Sequence, residues 1–180
     1  MRALVVYESM YGNTHEIADN IADGLRADYE VALVPTAEAT AEFVAGADLL
    51  VAGAPTHMHG LPSVATRQMA ARAAAQDGSA LRLDPDADDP GLPEWLNDLG
   101  HRDGLAAAFD TRIKGVPVIT GRASRAIARL LKRHGYRLVA APESFLVSWE
   151  TTLLDGEADR ARRWGMTLGS ASKAYLPARA

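Results

Sequence analysis

The apolar positions of the chain fall into two patterns that alternate along its length. Continuous apolar runs, as at 4–6 and 49–52, are typical of strands buried on both faces of a parallel sheet. Apolar residues spaced three and four apart, as at Ile17, Ile21 and Leu25, are typical of amphipathic helices. The alternation predicts an α/β protein with a doubly wound, five-stranded parallel sheet and helices on both faces.

The fifth predicted strand is interrupted by Pro142. Proline removes a ladder hydrogen bond and is tolerated at an edge strand or a bulge. An edge position fits the strand order 2-1-3-4-5, which places a ligand over the carboxyl ends of strands one and three. The pattern predicts strands at 3–7, 29–34, 48–54, 104–109 and 136–147, and a loop or crossover at 110–121. It predicts a first helix that ends near residue 25 and further helices at 42–47, 64–76, 93–99, 122–134 and 157–175.

Length and composition indicate one ordinary domain over residues 1–180, with 48% hydrophobic residues to build its core. The chain has no cysteine, which excludes disulfides, thiolate metal sites and a cysteine nucleophile. A net charge of −4 argues weakly against nucleic acid as a partner. The first apolar run is too short for a signal peptide or a membrane span, so we expect a soluble, cytoplasmic protein.

The loop between the first strand and the first helix consists of short polar side chains and a glycine. Such a loop directs backbone N–H groups toward one point at the positive end of the helix dipole, where an anion binds. It matches neither GxxxxGK[ST] nor GxGxxG. Its donors are neutral and suit a single terminal phosphate; they come from Ser9, Tyr11, Gly12, Asn13 and Thr14.

The run Val5-Val6-Tyr7-Glu8-Ser9-Met10-Tyr11-Gly12-Asn13-Thr14, with Ala18 and Ile21 beyond it, resembles the FMN-phosphate signature of flavodoxins. The step Ala54-Pro55-Thr56-His57 resembles the second flavin loop of that family. The resemblance implies a flavodoxin-like fold, bound FMN and electron transfer through the flavin.

Three loops are expected at the carboxyl ends of strands one, three and four. The resemblance implies that the first holds the phosphate and that the other two flank the isoalloxazine ring. The cofactor contacts that it implies are Ser9, Met10, Tyr11, Gly12, Asn13, Thr14, Pro55, Thr56, His57, Met58, His59, Gly60, Asp110, Thr111 and Arg112.

The chain departs from the family at the ring. Flavodoxins that carry electrons usually press the flavin between a Trp and a Tyr, whereas the second loop here offers His57, Met58 and His59, and the third loop offers no aromatic residue. Histidine and methionine can still cover a ring face. The departure argues against a low-potential carrier more than against FMN itself.

Arg112 is the residue that we assign a chemical role. A cation at the N1/C2 edge of the flavin stabilises the negative charge of the reduced ring. The alternative is that Arg112 pairs with Asp110 or faces solvent. His57 and His59 could chelate a metal, but their loop offers no third ligand, so we predict no metal site.

Two charged segments are open to interpretation. The basic run on the predicted helix 122–134 could attract NADPH phosphates, an acidic partner or nucleic acid; we favour a solvated face balanced by the acidic insertion within 77–103. Within that insertion, residues 84–91 contain four aspartates and two prolines and are expected to be mobile and dispensable for the fold.

The sequence favours an FMN-binding redox protein and leaves its chemistry open. It could carry electrons between protein partners, or it could be an enzyme that takes hydride from NAD(P)H and reduces a quinone or similar small acceptor. A binding or regulatory module that has lost the flavin is a third possibility. The first and third strands lack the acidic cluster of an aspartyl phospho-receiver, which excludes that class.

Overall fold

The computed structural model of the chain describes residues 1–87 and 90–175. Its strands are β1 (Arg2–Tyr7), β2 (Glu30–Pro35), β3 (Leu49–Pro55), β4 (Gly104–Ile113), β5 (Tyr136–Leu138) and β6 (Glu143–Val147). Its helices are α1 (Asn13–Leu25), α2 (Ala41–Gly46), α3 (Val64–Ala74), α4 (Leu92–Asp98), α5 (Pro117–Thr120), α6 (Ala123–Arg133) and α7 (Glu157–Lys173). None of the described helices is long and apolar enough to cross a membrane.

The strands form one parallel sheet in the order β2-β1-β3-β4-β5, and β6 also pairs with β4. Val5 lies beside Leu33 on one neighbouring strand and beside Val51 on the other. This order and the helices on both faces confirm the predicted fold class. The carboxyl ends of β1, β3, β4 and β6 therefore meet at one edge of the sheet.

The sheet separates two apolar layers, as the unbroken apolar runs require. Alternate residues of β1, such as Val5, pack with α1 and α7 on one face. Their neighbours, such as Val6, pack with α4 and α6 on the other. Side chains on both faces of the central strands are thus withdrawn from water, which holds the loops at their ends in place.

Helix α1 is fixed by close contact with α7 at two glycines. A Cβ atom at Gly24 would lie 2.1 Å from the carbonyl oxygen of Arg162, and one at Gly165 would lie 2.3 Å from that of Ile21. Only glycine allows the two backbones to approach this closely. The amino-terminal end of α1, which belongs to the candidate phosphate loop, is set by this contact.

The prediction of a loop or crossover over residues 110–121 is partly wrong. Strand β4 continues to Ile113, and Asp110 and Arg112 pair with Ser144 and Leu146 of β6. Polar residue types misled the interpretation, because each of these side chains has a tertiary partner that a sequence does not reveal. The expected fifth strand is divided at Pro142 into β5 and β6, and both parts pair with β4.

The described part of the acidic segment is packed against the body of the protein. Asp84 is 6% exposed, and its backbone N–H donates to the Met10 carbonyl over 2.9 Å. The Thr36 hydroxyl donates to the Pro90 carbonyl. These contacts differ from the loosely attached segment that we expected over 84–91; Asp88 and Asp89 of that segment lie outside the described residues.

Candidate functional site

The loop that leads from β1 into α1 exposes the start of a helix. Gly12 has a left-handed φ of 87°, which favours glycine, and no described side chain caps the first turn of α1. The Gly12 N–H donates to Ser9 Oγ over 3.2 Å, so Ser9 shapes the loop from within. The uncapped N–H groups that follow are free to bind an anion.

Asn13 and Thr14 connect this loop to the rest of the sheet edge. Asn13 Nδ2 donates to the Thr151 carbonyl over 2.9 Å, and the hydroxyls of Thr14 and Thr111 lie 2.7 Å apart. Two hydroxyls have two hydrogens, and only one lies between them, so one hydrogen is left for a ligand. Asn13 likewise keeps a second amide hydrogen. Both residues can therefore hold a phosphate without losing these bonds.

Tyr11 and Met10 are structural members of the same loop. The Tyr11 hydroxyl donates to the Ala70 carbonyl of α3 over 2.9 Å. Met10 is 3% exposed, and its carbonyl accepts from Asp84. The hydroxyl of Tyr11 is thus committed to α3, which leaves Asn13, Thr14 and the backbone as candidate donors to a phosphate.

The second loop is a tight turn with unusual backbone angles. The backbone N–H and carbonyl groups of His57 and Gly60 exchange two hydrogen bonds of 2.9 Å. Met58 and His59 between them have φ values of 45° and 75°, a region that costs non-glycine residues of order 1–3 kcal/mol. Burial, together with the nearby charge of Arg67, lowers the pKa of His57, so its imidazole is neutral at neutral pH.

Asp110 lies beneath the site rather than in it. It is fully buried, and Oδ2 accepts from the Thr56 hydroxyl over 2.6 Å, while Thr56 Oγ1 accepts from the Ala123 N–H over 2.9 Å. This chain of bonds ties the second loop to β4 and to the start of α6. Asp110 is therefore placed to position Thr56, whereas the sequence suggested direct contact with a cofactor.

Arg112 lines the cleft that the sequence predicted, and one of its three guanidinium nitrogens is bonded to the protein. Its Nη1 donates to the carbonyls of Ile113 and Gly115 and to the Thr120 hydroxyl, over 2.9–3.2 Å. Its buried Nε has no acceptor among the described residues. Burial lowers the pKa of Arg112, and Asp110 opposes that effect. An acceptor atom on a ligand would satisfy Nε.

These groups line one cleft of about 130 Å³ at the sheet edge. Nine of the residues implied by the resemblance line it, namely Met10, Tyr11, Asn13, Thr14, Pro55, Thr56, His57, Thr111 and Arg112. Six do not, namely Ser9, Gly12, Met58, His59, Gly60 and Asp110. Ile113, Val147 and Thr151 also line it and were missed. Ile113 ends β4, which was expected to stop at 109, and Val147 ends β6, which was not recognised as a separate strand.

The second loop contacts the segment before α6. His59 and Gly121 form a parallel backbone bridge, and a Cβ atom at Gly121 would lie 2.2 Å from the His59 carbonyl oxygen. Pockets that enclose a drug-sized ligand measure ~300–1,000 Å³, so this cleft has room for part of a flavin unless the two loops separate.

A polar cluster beside the phosphate loop was also missed. The Tyr7 hydroxyl donates to Asp86 Oδ2 over 2.8 Å and lies 3.1 Å from His15 Nε2, and the two rings stack at 4.4 Å. His15 Nδ1 lies 3.4 Å from Asp84 Oδ2. His15, Asp84 and Asp86 are the one group of potential metal ligands found among the described residues, and they bond to one another and to Tyr7.

A parallel sheet of this order with helices on both faces is the flavodoxin-like fold. Residues 4–74 match the family model described as a flavodoxin domain, which confirms the resemblance seen at both flavin loops. No curated protein matches the chain by sequence.

Solved structures share the fold across the whole chain. A flavodoxin from the domain Archaea is 17% identical with a TM-score of 0.67, over 96% of this chain and 99% of that one. Oxidised flavodoxin 1 from Bacillus cereus is 19% identical with a TM-score of 0.63, over 98% and 100%. Rubredoxin oxygen:oxidoreductase from Desulfovibrio gigas is 17% identical with a TM-score of 0.66, over 98% of this chain and 37% of its own.

Proposed function

We propose that this chain binds FMN at the cleft between α1 and β4 and serves as a redox protein. The observation that carries the proposal is a cleft that has the uncapped start of α1 at one end and, at the other, Arg112, whose buried Nε has no acceptor among the described residues. The flavodoxin-domain match covers the first of these ends. The flavodoxins and the rubredoxin oxygen:oxidoreductase that share its fold are redox proteins by their names.

The start of α1 would hold the phosphate. Backbone N–H groups, the second amide hydrogen of Asn13 and one hydroxyl hydrogen from the Thr14–Thr111 pair supply neutral donors at the positive end of the helix. Gly12 allows the backbone to turn there. These donors recognise a phosphate without a lysine.

The other end would hold the ring. When bound, FMN supplies reversible transfer of one or two electrons. Arg112 stays cationic, and its Nε offers a hydrogen bond that becomes stronger as negative charge develops on its acceptor. His57 is neutral and forms an uncharged wall of the cleft, while Asp110 holds Thr56 in place from below.

The composition of the cleft wall favours a second version of this function. Tyr11 is the only Trp, Tyr or Phe among the described residues that line the cleft, so the Trp–Tyr pair typical of electron-carrying flavodoxins is absent from it. The protein would then be an NAD(P)H-dependent reductase of quinone-like acceptors. Steady-state oxidation of NAD(P)H with a quinone distinguishes this enzyme from a carrier, which would give no turnover. We place either version in the cytoplasm.

The phosphate site is tested by comparing FMN with riboflavin. FMN should bind more tightly, and Thr14→Ala should weaken FMN binding by ~1.5–3 kcal/mol, the range for a hydrogen bond to a charged group, with little change for riboflavin. Thr167→Ala on the exposed face of α7 is the matched control. Equal affinities of the wild type for the two ligands would remove the phosphate site, and no binding of either would favour the flavin-free module.

A further inference from the structure

Helix α6 carries a row of unneutralised positive charge. Arg125, Arg129, Lys132 and Arg133, here called the basic stripe, follow one another at spacings of four, three and one and are all exposed. The opposite face of the helix, with Ile127 and Leu131, is fully buried. The orientation of the helix is thus fixed by its apolar face, and the stripe points to solvent.

The fold does not neutralise these charges. None of the ion pairs in the described part of the chain involves a residue of α6. The acidic insertion, which the sequence suggested as the balancing charge, places Asp84 beside His15 and Asp86 beside Tyr7, at the end of β1. The expected balance between these segments is therefore not what the described residues show.

The stripe contains pairs of like charge and begins at the unfavourable end of the helix dipole, although Lys132 and Arg133 lie in the last turn, where the dipole favours them. Like charges four residues apart, such as Arg125 with Arg129 and Arg129 with Arg133, repel by ~0.2–0.5 kcal/mol per pair. The first turn of α6 has no acidic residue, and Arg125 lies there at the unfavourable end of the helix dipole. An anionic partner would offset both costs.

The stripe begins beside the cleft and next to exposed apolar side chains. The first N–H of α6 donates to Thr56, which lines the cleft. Val116 and Ile119, just before α6, are 60% and 68% exposed, and Met58, 74% exposed, belongs to the loop that bridges to Gly121. An apolar centre bordered by charge is the usual anatomy of a protein interface.

We propose that the basic stripe, with Met58, Val116 and Ile119, is the docking surface for an acidic protein that exchanges electrons with this chain. The proposal rests on the function proposed above. The apolar centre favours a protein over nucleic acid, which would call for aromatic residues that stack on bases; the described stripe has none. The partner's negative charge fits the stripe, and its apolar atoms fit the three exposed apolar side chains near the start of α6.

The test measures binding of a fluorescently labelled [2Fe–2S] ferredoxin, an acidic probe, by anisotropy to the FMN-loaded protein. Arg125→Gln/Arg129→Gln should weaken binding about tenfold at an ionic strength of about 0.01 M and much less at about 0.15 M. The control, Arg162→Gln/Arg163→Gln, removes the same charge from exposed positions on α7 and should change affinity less than about twofold. Ile119→Ser should weaken binding equally at both ionic strengths, because its contribution is apolar.

Equal losses in the two double variants, or no measurable ferredoxin binding, would overturn the proposal. So would binding of a single-stranded DNA probe, or salt-dependent self-association, that the stripe variant loses while ferredoxin binding is unchanged. FMN titrations of the wild type and the variants are run in parallel. No FMN binding by the wild type contradicts the proposed function, whereas normal FMN binding with equal ferredoxin affinities contradicts the docking surface alone.

Discussion

Different atoms of the Arg112 side chain have different roles. Its Nη1 holds the turn at 113–120, and its buried Nε has no acceptor among the described residues. A cation that meets the reduced ring more strongly than the oxidised one raises the reduction potential. The side chain therefore links the shape of the loop to the redox property that we assign to the site.

Arg112→Ala should lower the two-electron potential of the FMN-loaded protein by roughly 30–65 mV, because a charge-assisted hydrogen bond is worth ~1.5–3 kcal/mol and ~1.4 kcal/mol corresponds to ~30 mV. Arg112→Lys should recover part of that shift, since lysine keeps the charge but not the planar fork. Spectroelectrochemical titration measures both. Thr120→Ala is the control, because it removes one bond of Nη1 and leaves the guanidinium. A potential unchanged in Arg112→Ala would leave the residue with its structural duty alone.

Glu8 is a buried acid that makes stability depend on pH. It is 6% exposed, and burial raises its pKa above 4.5 although the Leu92 N–H and Arg67 oppose the shift. The native state therefore holds this proton more tightly than the unfolded chain does. Below the pKa that Glu8 has in the unfolded chain, the residue is protonated in both states and its ionisation does not affect stability. As the pH rises from there through the native pKa, ionisation of the buried carboxyl lowers the free energy of unfolding.

Glu8→Gln keeps an acceptor for the Leu92 N–H and cannot ionise. Its free energy of unfolding relative to the wild type should increase between about pH 4.5 and about pH 8, as measured by urea titration. Burial raises the pKa of Glu94, but hydrogen bonds from Arg67 and the backbone outweigh burial and lower it. The effect of Glu94→Gln should therefore have the opposite sign and appear only below about pH 4.5, where the wild type loses the stability of the ionised carboxylate as the pH falls. A difference between Glu8→Gln and the wild type that is independent of pH would contradict the assignment.

At the scale of elements, the close contact between α1 and α7 determines the position of both helices. Alanine is favoured over glycine by ~1 kcal/mol in an isolated helix. At Gly165, however, the added Cβ would lie 2.3 Å from a backbone carbonyl oxygen that cannot rotate away. The helices would have to separate, and the start of α1 would move with them.

Gly165→Ala should therefore destabilise the protein, by ~1–3 kcal/mol as for an overpacked core, despite the gain in helix propensity. Urea unfolding gives the magnitude, and the FMN affinity shows whether the phosphate loop has shifted. Ser170→Ala, at an exposed position of the same helix, is the control and should be close to neutral. A stabilised Gly165→Ala would mean that the helices are less tightly packed than described.

The elements that the sequence predicted well are those with strong periodicity. Helices α1, α6 and α7 lie within a few residues of their expected bounds. Helix α3, which has no buried residue, also begins where it was expected, after Ser63 in a capping box. The end of β4 was missed because Asp110 and Arg112 are polar, and their partners are 54 and 8 residues away along the chain. Local pattern carries no information on such partners.

At the scale of the whole molecule, the candidate site could be predicted in outline because the fold rule brings three loops together. The individual residues of the site could not all be predicted, because some come from segments that are far apart in the sequence. Asp84 reaches His15 across the chain, and Asn13 reaches Thr151. The residues that β6 contributes to the site could not be predicted either, because the sequence presents β5 and β6 as one strand and only the structure shows the division at Pro142.

The hydroxyl pair of Thr14 and Thr111 joins residues 97 positions apart, so the cleft exists only when the whole sheet is formed. Ligand binding and global folding are then thermodynamically linked, and the cofactor acts as a ligand of the native state alone. At a concentration of ~100 times its dissociation constant, FMN should raise the free energy of unfolding by ~2.7 kcal/mol. Hydrogen exchange should slow in β1, β3 and β4 together; slowing confined to residues 10–14 would show a site that forms locally. Loss of cofactor would thus lower the thermal stability of the entire chain.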